Sequence, residues 1–223
     1  MRRVFLFCLV AVIVFAAGTA SAQWSLGMRM VGTGNYFPYQ PLIQAMMGGE
    51  TNALITADAG LFGYKELSIG YRADALCFEG NFAFDGLGSE FTAPDDDVYE
   101  DDLTWWYTGG TVLYNFWQGE GYSGGAGVRF QYGASEMMMS MDPDVGDKEE
   151  YVFSGKTTQI SVPFRFMWRP GDGKFAIGPE IAFKYTMGSM EAEYTSGGST
   201  ETMDGPEYSG FDTEYSLMMK FMF

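Results

Sequence analysis

The chain has 223 residues, a formal net charge of −16, 17% aromatic residues and no histidine. That length bounds the mature part to one domain. The missing His removes the commonest general base and the commonest metal ligand together, and no nucleic acid partner is expected of so acidic a chain.

The N-terminus reads as an export signal. Arg2 and Arg3 form its charged region, residues 4–17 an apolar run, and Ala20-Ser21-Ala22 a cleavage site. The run is shorter than the ~20 residues a spanning helix needs, so residues 1–22 are expected to be a cleaved signal peptide and residues 23–223 one barrel domain. Cys8 sits in the run after Leu6 and Phe7, without the small residues that precede a lipidated cysteine. Cys77 is then the only cysteine left, and it cannot form an internal disulfide.

Eight segments after residue 22 alternate apolar and polar residues, the period of a strand with two different solvents on its faces. Segment 24–33 sets Trp24, Leu26, Met28 and Met30 against Ser25, Gly27 and Arg29. Segment 52–62 sets Ala53, Ile55, Ala57, Ala59 and Leu61 against Thr56, Asp58 and Gly60. A tight turn at Gly63-Tyr64-Lys65 leads to a third segment from Leu67, with Ile69, Tyr71, Ala73 and Ala75 against Ser68, Gly70, Arg72 and Asp74. Its far part, 76–84, loses clean alternation and predicts a bulge or a protruding hairpin arm.

The fourth segment, 103–117, sets Trp106, Thr108, Gly110, Val112, Tyr114 and Phe116 on one face, with Trp105, Tyr107 and Leu113 blurring the pattern. A turn at 118–121 precedes the fifth, 122–135, which carries Ala126, Val128, Phe130 and Tyr132 opposite Arg129 and Gln131. The sixth, 156–168, carries Ile160, Val162, Phe164, Phe166 and Trp168 opposite Gln159, Ser161 and Arg165. After Pro170-Gly171-Asp172-Gly173, a turn on dipeptide signals, the seventh, 174–186, carries Phe175, Ile177, Ile181, Phe183 and Tyr185 opposite Glu180 and Lys184. The last ends at Phe223, with Phe221, Met219, Leu217, Tyr215 and Phe211 on one face and Lys220, Glu214 and Asp212 on the other. Pro163 and Pro179 fit badly, because a closed barrel has no free edge to hide a missing N–H. A bulge or a weakened ladder is expected at each.

These segments exceed the ~5–6 residues of ordinary strands and suffice for the ~9–11 that cross a bilayer. Three short turns alternate with long loops at 34–51, 85–102, 136–155 and 187–210. The expected fold is therefore all-β: an eight-stranded antiparallel up-and-down transmembrane β-barrel with short periplasmic turns and long extracellular loops, in the outer membrane of a Gram-negative bacterium. Trp24, Trp106, Tyr114, Trp117, Trp168, Tyr185 and Tyr215 are the expected interfacial aromatics.

The run from Ile160 through Pro163 to Trp168, followed by a Gly turn and Phe175-Ala-Ile-Gly-Pro-Glu, resembles a hairpin of the outer membrane protein beta-barrel domain or "porin family" proteins, near the small OmpA/OmpX-type barrels. Tyr215, Leu217, Met219, Phe221 and Phe223 resemble the C-terminal signal read by the barrel-assembly machinery. The resemblance implies that machinery as a partner during biogenesis, and outer-membrane lipid and lipopolysaccharide as surroundings.

Strand parity aims Arg29, Asp58, Arg72, Asp74, Arg129, Arg165, Glu180, Lys184, Asp212, Glu214 and Lys220 at the lumen. Buried charges need partners, so a salt-bridge network plugging the barrel is expected, with a gated narrow pore as the alternative. Most of the 29 acids lie in the long loops. They suit divalent cations as hard ligands, but Asp95-Asp96-Asp97 is no EF-hand loop, so a solvated outer surface is the simpler reading. Met137-Met138-Met139-Ser140-Met141 and Met46-Met47 offer soft thioethers for copper, or simply an apolar strand end. No catalytic residue, cofactor or metal site is assigned: the known barrel enzymes use a His, and Asp212 with Glu180 reads better as structural than as an acid–base pair. The expected role is structural or surface-interacting and non-enzymatic. The other alternative is a soluble lipocalin-type barrel, with its apolar face inward and Arg72, Arg129, Arg165 and Glu214 facing water.

Overall fold

The computed structural model describes residues 23–31, 65–92, 98–142, 148–171, 174–205 and 207–223. They form nine antiparallel strands: β1 (Gln23–Val31), β2 (Lys65–Ala73), β3 (Leu76–Thr92), β4 (Val98–Gly119), β5 (Tyr122–Asp142), β6 (Glu149–Trp168), β7 (Phe175–Ser196), β8 (Ser199–Asp204) and β9 (Tyr208–Met222). Neighbours in sequence pair around a ring from β1 to β7, and β9 closes it by pairing with both β7 and β1. β8 pairs with the end of β7 alone among the described residues. The fold is an antiparallel β-barrel.

The strands divide differently from the sequence expectation. Segment 52–62, with Asp58, lies outside the described residues, and β1 pairs directly with β2 from Gln23↔Arg72 to Met30↔Lys65. The third segment is neither one strand with a bulge nor a protruding arm: a two-residue turn at Asp74–Ala75 folds it into the β2–β3 hairpin, and β3 pairs on with β4 inside the barrel. Asp74 takes a positive φ of 53°, a conformation Asp tolerates better than most residues. Its carbonyl accepts from Arg72 Nε at 3.0 Å, and the Ala75 carbonyl accepts from Asn115 N and Nδ2 at 2.8 and 3.2 Å. Of the short turn expected at Gly63–Lys65, only Lys65 lies among the described residues, and it opens β2.

Of the expected long loops, 34–51 lies outside the described residues, and the described parts of 85–102, 136–155 and 187–210 are largely strand. β3 and β4 pair from Leu76↔Tyr114 as far as Thr92↔Val98, and β7 and β8 as far as Ser196↔Ser199 across Gly197 and Gly198, both at positive φ. The one register shift lies between Tyr114 and Trp117, where β4 carries an extra residue against β5.

Neither proline shifts the register. The β5–β6 ladder skips from Ala126↔Phe164 to Arg129↔Ser161 around Pro163, and β6–β7 skips from Arg165↔Glu180 to Trp168↔Ile177 around Pro179. Each is a ladder interruption, as a missing N–H requires. Beside Pro179, Gly178 lets β6 approach: a Cβ there would lie 1.8 Å from the Phe166 carbonyl oxygen.

Burial alternates along the strands, and the apolar face is the outer one. On β6, Ile160, Val162, Phe164, Phe166 and Trp168 are exposed while Gln159, Ser161 and Arg165 are buried. The same holds for Val112 and Tyr114 on β4, Val128 and Phe130 on β5, and Ile181 and Phe183 on β7. The band runs from Tyr122 to Tyr132 on β5 and from Ile160 to Trp168 on β6, matching the ~9–11 residues that cross a bilayer. Trp105, Tyr107 and Leu113 do not spoil the alternation: they are buried in the lumen, with Trp105 and Tyr107 stacked at 5.8 Å. The inward apolar face of a lipocalin-type barrel is overturned.

The Asp74 turn gives a test. Asp74→Val should lower stability by about 1–2 kcal/mol, because a β-branched residue resists the left-handed conformation. Asp74→Gly should cost less than Asp74→Val, since glycine takes a positive φ freely and keeps the carbonyl that accepts from Arg72. Midpoints of urea unfolding followed by heat-modifiable gel migration measure both.

Candidate functional site

Nine charged side chains meet inside the barrel, from seven of the strands: Arg29 (β1), Glu66 (β2), Glu79 (β3), Arg129 (β5), Arg165 (β6), Glu180 and Lys184 (β7), Glu214 and Lys220 (β9). Every one is buried. Alternation explains why. Each lies on the parity opposite its strand's outward apolar residues, so lining the outside with Phe, Ile and Val commits these groups to the interior.

Glu180 holds the centre. Its Oε2 accepts from Arg165 Nε at 2.8 Å and lies 2.6 Å from Arg165 Nη2, while its Oε1 meets Arg129 Nη2 at 2.5 Å and Arg29 Nη1 at 3.5 Å. On one side, Glu79 takes Arg165 through two bonds of 2.6 and 3.0 Å and also binds Lys220. On the other, Glu214 binds Arg29, approaches Arg129 at 3.7 Å, and lies 3.5 Å from Lys184. Glu66 grips Arg29 at 2.6 and 3.0 Å and accepts from Tyr107 Oη at 2.7 Å and Gln131 Nε2 at 2.9 Å. Thr111 accepts from Arg129 Nε at 3.1 Å and from Asn81 Nδ2 at 3.1 Å. The result is one connected network, with five cations and four carboxylates, across the whole lumen.

Of the expected lumen residues, Arg29, Arg129, Arg165, Glu180, Lys184, Glu214 and Lys220 are in the network. Arg72 is half-buried at the turn end, bonded to Gln118 and the Asp74 carbonyl. Asp74 is corrected to an exposed turn residue. Asp212 is also exposed, its Oδ1 accepting from the Thr213 backbone N–H at 2.6 Å. It is therefore not paired with Glu180, whose oxygens are taken by arginines. Asp58 lies outside the described residues. Sequence reasoning missed Glu66 and Glu79. Glu66 fell between the expected turn at 63–65 and a third segment begun at Leu67, whereas β2 starts at Lys65, and Glu79 fell in the stretch whose alternation broke because the Asp74–Ala75 hairpin reset it. Reading Asp-Ala as a turn restores Cys77, Glu79, Asn81 and Ala83 to one inward face.

The expected interfacial aromatics point outward, although Tyr185 is half-buried against Phe211 and Tyr215 lies mid-band opposite Ile181. Phe223, Phe221 and Tyr215 of the terminal strand are exposed, Leu217 and Met219 half-buried. At the far end Asp102, Glu136, Glu191, Glu193, Glu201, Asp204 and Glu207 are exposed, and no group of three or more potential metal-ligating side chains assembles among the described residues. Met137–Met139 lie in β5, where alternation sends Met138 to the face opposite its neighbours. Met46 and Met47 are outside the described residues.

No protein-family model matches the chain, and no curated protein matches it. Among solved structures it is similar to CarO of Acinetobacter baumannii, at 9% identity over 89% of this chain and 97% of that one, with a TM-score of 0.42. It is similar to a major outer membrane protein of Thermus thermophilus, at 9% identity over 90% of this chain and 100% of that one, with a TM-score of 0.48. CarO2 of Acinetobacter baumannii gives 7% identity over 90% and 98%, and a TM-score of 0.42. These likenesses are of overall shape; the lumen is read from its own geometry.

The network predicts a sharp contrast between two acids. Glu180→Ala should destabilise the barrel by about 3–5 kcal/mol, because it strands buried guanidinium groups. Asp212→Ala, whose exposed carboxylate accepts from the Thr213 backbone and faces Lys184 across the strands, should cost no more than about 1 kcal/mol. Equal effects in the urea midpoint would show that the lumen is wet enough to screen the charges.

Proposed function

We propose that the protein is an integral outer-membrane β-barrel with a closed lumen, non-enzymatic, serving envelope structure or surface interaction through its acidic far end. The observation that carries this is the inversion of the barrel: an outer band of exposed Phe, Ile, Val and Trp around an interior built on buried ion pairs. Water would not tolerate that outer face over so many strands, and lipid does. The lumen of so small a barrel is filled by its own side chains.

On this reading the termini and the turns at Asp74–Ala75, Glu120–Gly121 and 169–174 face the periplasm. The extended ends of β3–β8 face outward, where their acids meet lipopolysaccharide and its divalent cations. Residues 1–22 act as the export signal, and the terminal strand is what the assembly machinery reads. Phe223 also closes the ring, exchanging two backbone hydrogen bonds with Trp24 at 3.2 and 3.0 Å.

The protein, starting at Gln23, should fractionate with outer membranes and resist alkaline carbonate, and in planar bilayers it should give no large, steady conductance. Recovery in soluble periplasm would overturn the membrane reading; stable conductance would overturn the closed lumen. Phe223→Ser keeps the Trp24 backbone pair and removes only the ring. Slower insertion of this variant in an assembly assay shows that the side chain is read; normal insertion, with a defect only on deleting Phe223, assigns the residue to ring closure alone.

A further inference from the structure

At the turn end, beneath the ion-pair network, the lumen widens into a cavity of about 50 Å³. A single water needs roughly 10–15 Å³, so the space suits a few waters or one tetrahedral oxyanion. Four cations line it, Arg72, Arg165, Arg169 and Lys220, and no carboxylate does among the described lining residues. Such an imbalance is costly wherever solvent is scarce.

The cations are not equivalent. Arg165 and Lys220 are answered from behind by Glu79. Arg72 is held only by neutral acceptors, the Asp74 carbonyl and the Gln118 amide oxygen. Arg169 Nε is buried and has no hydrogen-bond acceptor. Burial, with the neighbouring Arg72 guanidinium, pushes Arg169 below its ordinary range. Two guanidinium groups thus face one small space, one of them with an unspent buried donor. The hydroxyls of Ser25 and Ser123 also line the space, both side chains largely buried.

We propose that this cavity is a binding site for a phosphate group, gripped by Arg72 and Arg169, with Lys220 and Arg165 adding charge from the lumen side. The planar guanidinium fork matches a phosphate through paired charge-assisted bonds, and a doubly charged oxyanion relieves the repulsion between the two arginines. The group belongs either to free inorganic phosphate or to a lipid headgroup reaching in from the rim.

Calorimetric titration tests the site with inorganic phosphate as the probe. The protein is held in maltoside micelles, which carry no phosphate, with chloride replaced at constant ionic strength. Saturable binding is expected, weakened roughly tenfold or more in the double variant Arg72→Gln, Arg169→Gln and unchanged in Lys156→Gln, an exposed cation at the other end of the barrel. No saturable heat, or equal binding by the double variant, overturns the proposal. A second readout needs no variant: phosphate should slow phenylglyoxal labelling of Arg72 and Arg169, read by mass spectrometry, and labelling indifferent to phosphate overturns it equally. Repeating the titration in nanodiscs of anionic phospholipid separates the sources. Binding that persists assigns the site to free phosphate, and binding lost there but present in micelles assigns it to the headgroup.

Discussion

The interior of this barrel depends on one carboxylate reaching three guanidinium groups. Glu180 meets Arg165, Arg129 and Arg29, which stand on β6, β5 and β1. Through Glu79, Glu66 and Glu214 the charges then tie β2, β3 and β9 to the same centre, while β4 supplies Tyr107 and Thr111. A buried ion pair gains little net stability over an apolar core, because desolvation offsets most of its attraction. What it penalises is separation. The network therefore acts on register. Slipping any strand by one residue would turn its charge into the outer apolar band and leave the partners unmatched.

The same constraint explains the tolerance for two prolines in a closed sheet. Pro163 and Pro179 each interrupt a ladder without shifting it, because the pairs on both sides stay anchored. Arg165, two residues beyond Pro163, pairs across the strands with Glu180, the residue after Pro179. That cross-strand ion pair sits where the ladder is weakest, so side-chain charge holds the register that the backbone cannot.

How much of this was legible follows from period. The outward bands of β4–β7 and the inward Arg29, Arg129, Arg165, Glu180 and Glu214 could be read off alternation, since a strand between two solvents writes its parity into its side chains. Alternation fails where a turn resets parity with no Gly or Pro to announce it. Asp74–Ala75 is such a turn, and it hid Glu79. It also fails where a strand outruns its apolar band. The acidic stretches read as loops because polar residues then occupy both faces, yet the backbone ladder continues through Thr92↔Val98 and Ser196↔Ser199. Three-dimensional closeness, such as Glu66 receiving Tyr107 and Gln131 from across the lumen, has no sequence signature.

Those outer extensions change the barrel's shape. Among the described residues the ring is complete where β2 reaches, as far as Leu67↔Phe82 on β3. Beyond it, β3 to β8 continue as a curved wall whose two margins, the end of β3 and β8, lack a further strand among the described residues. An open margin is a template for unwanted pairing. β8 is protected against it: it is six residues long, fully exposed, and carries Glu201 and Asp204. Its acids repel a second copy of the same margin. The charge that looked like loop composition therefore has a structural role too: at β8 it discourages edge-to-edge pairing.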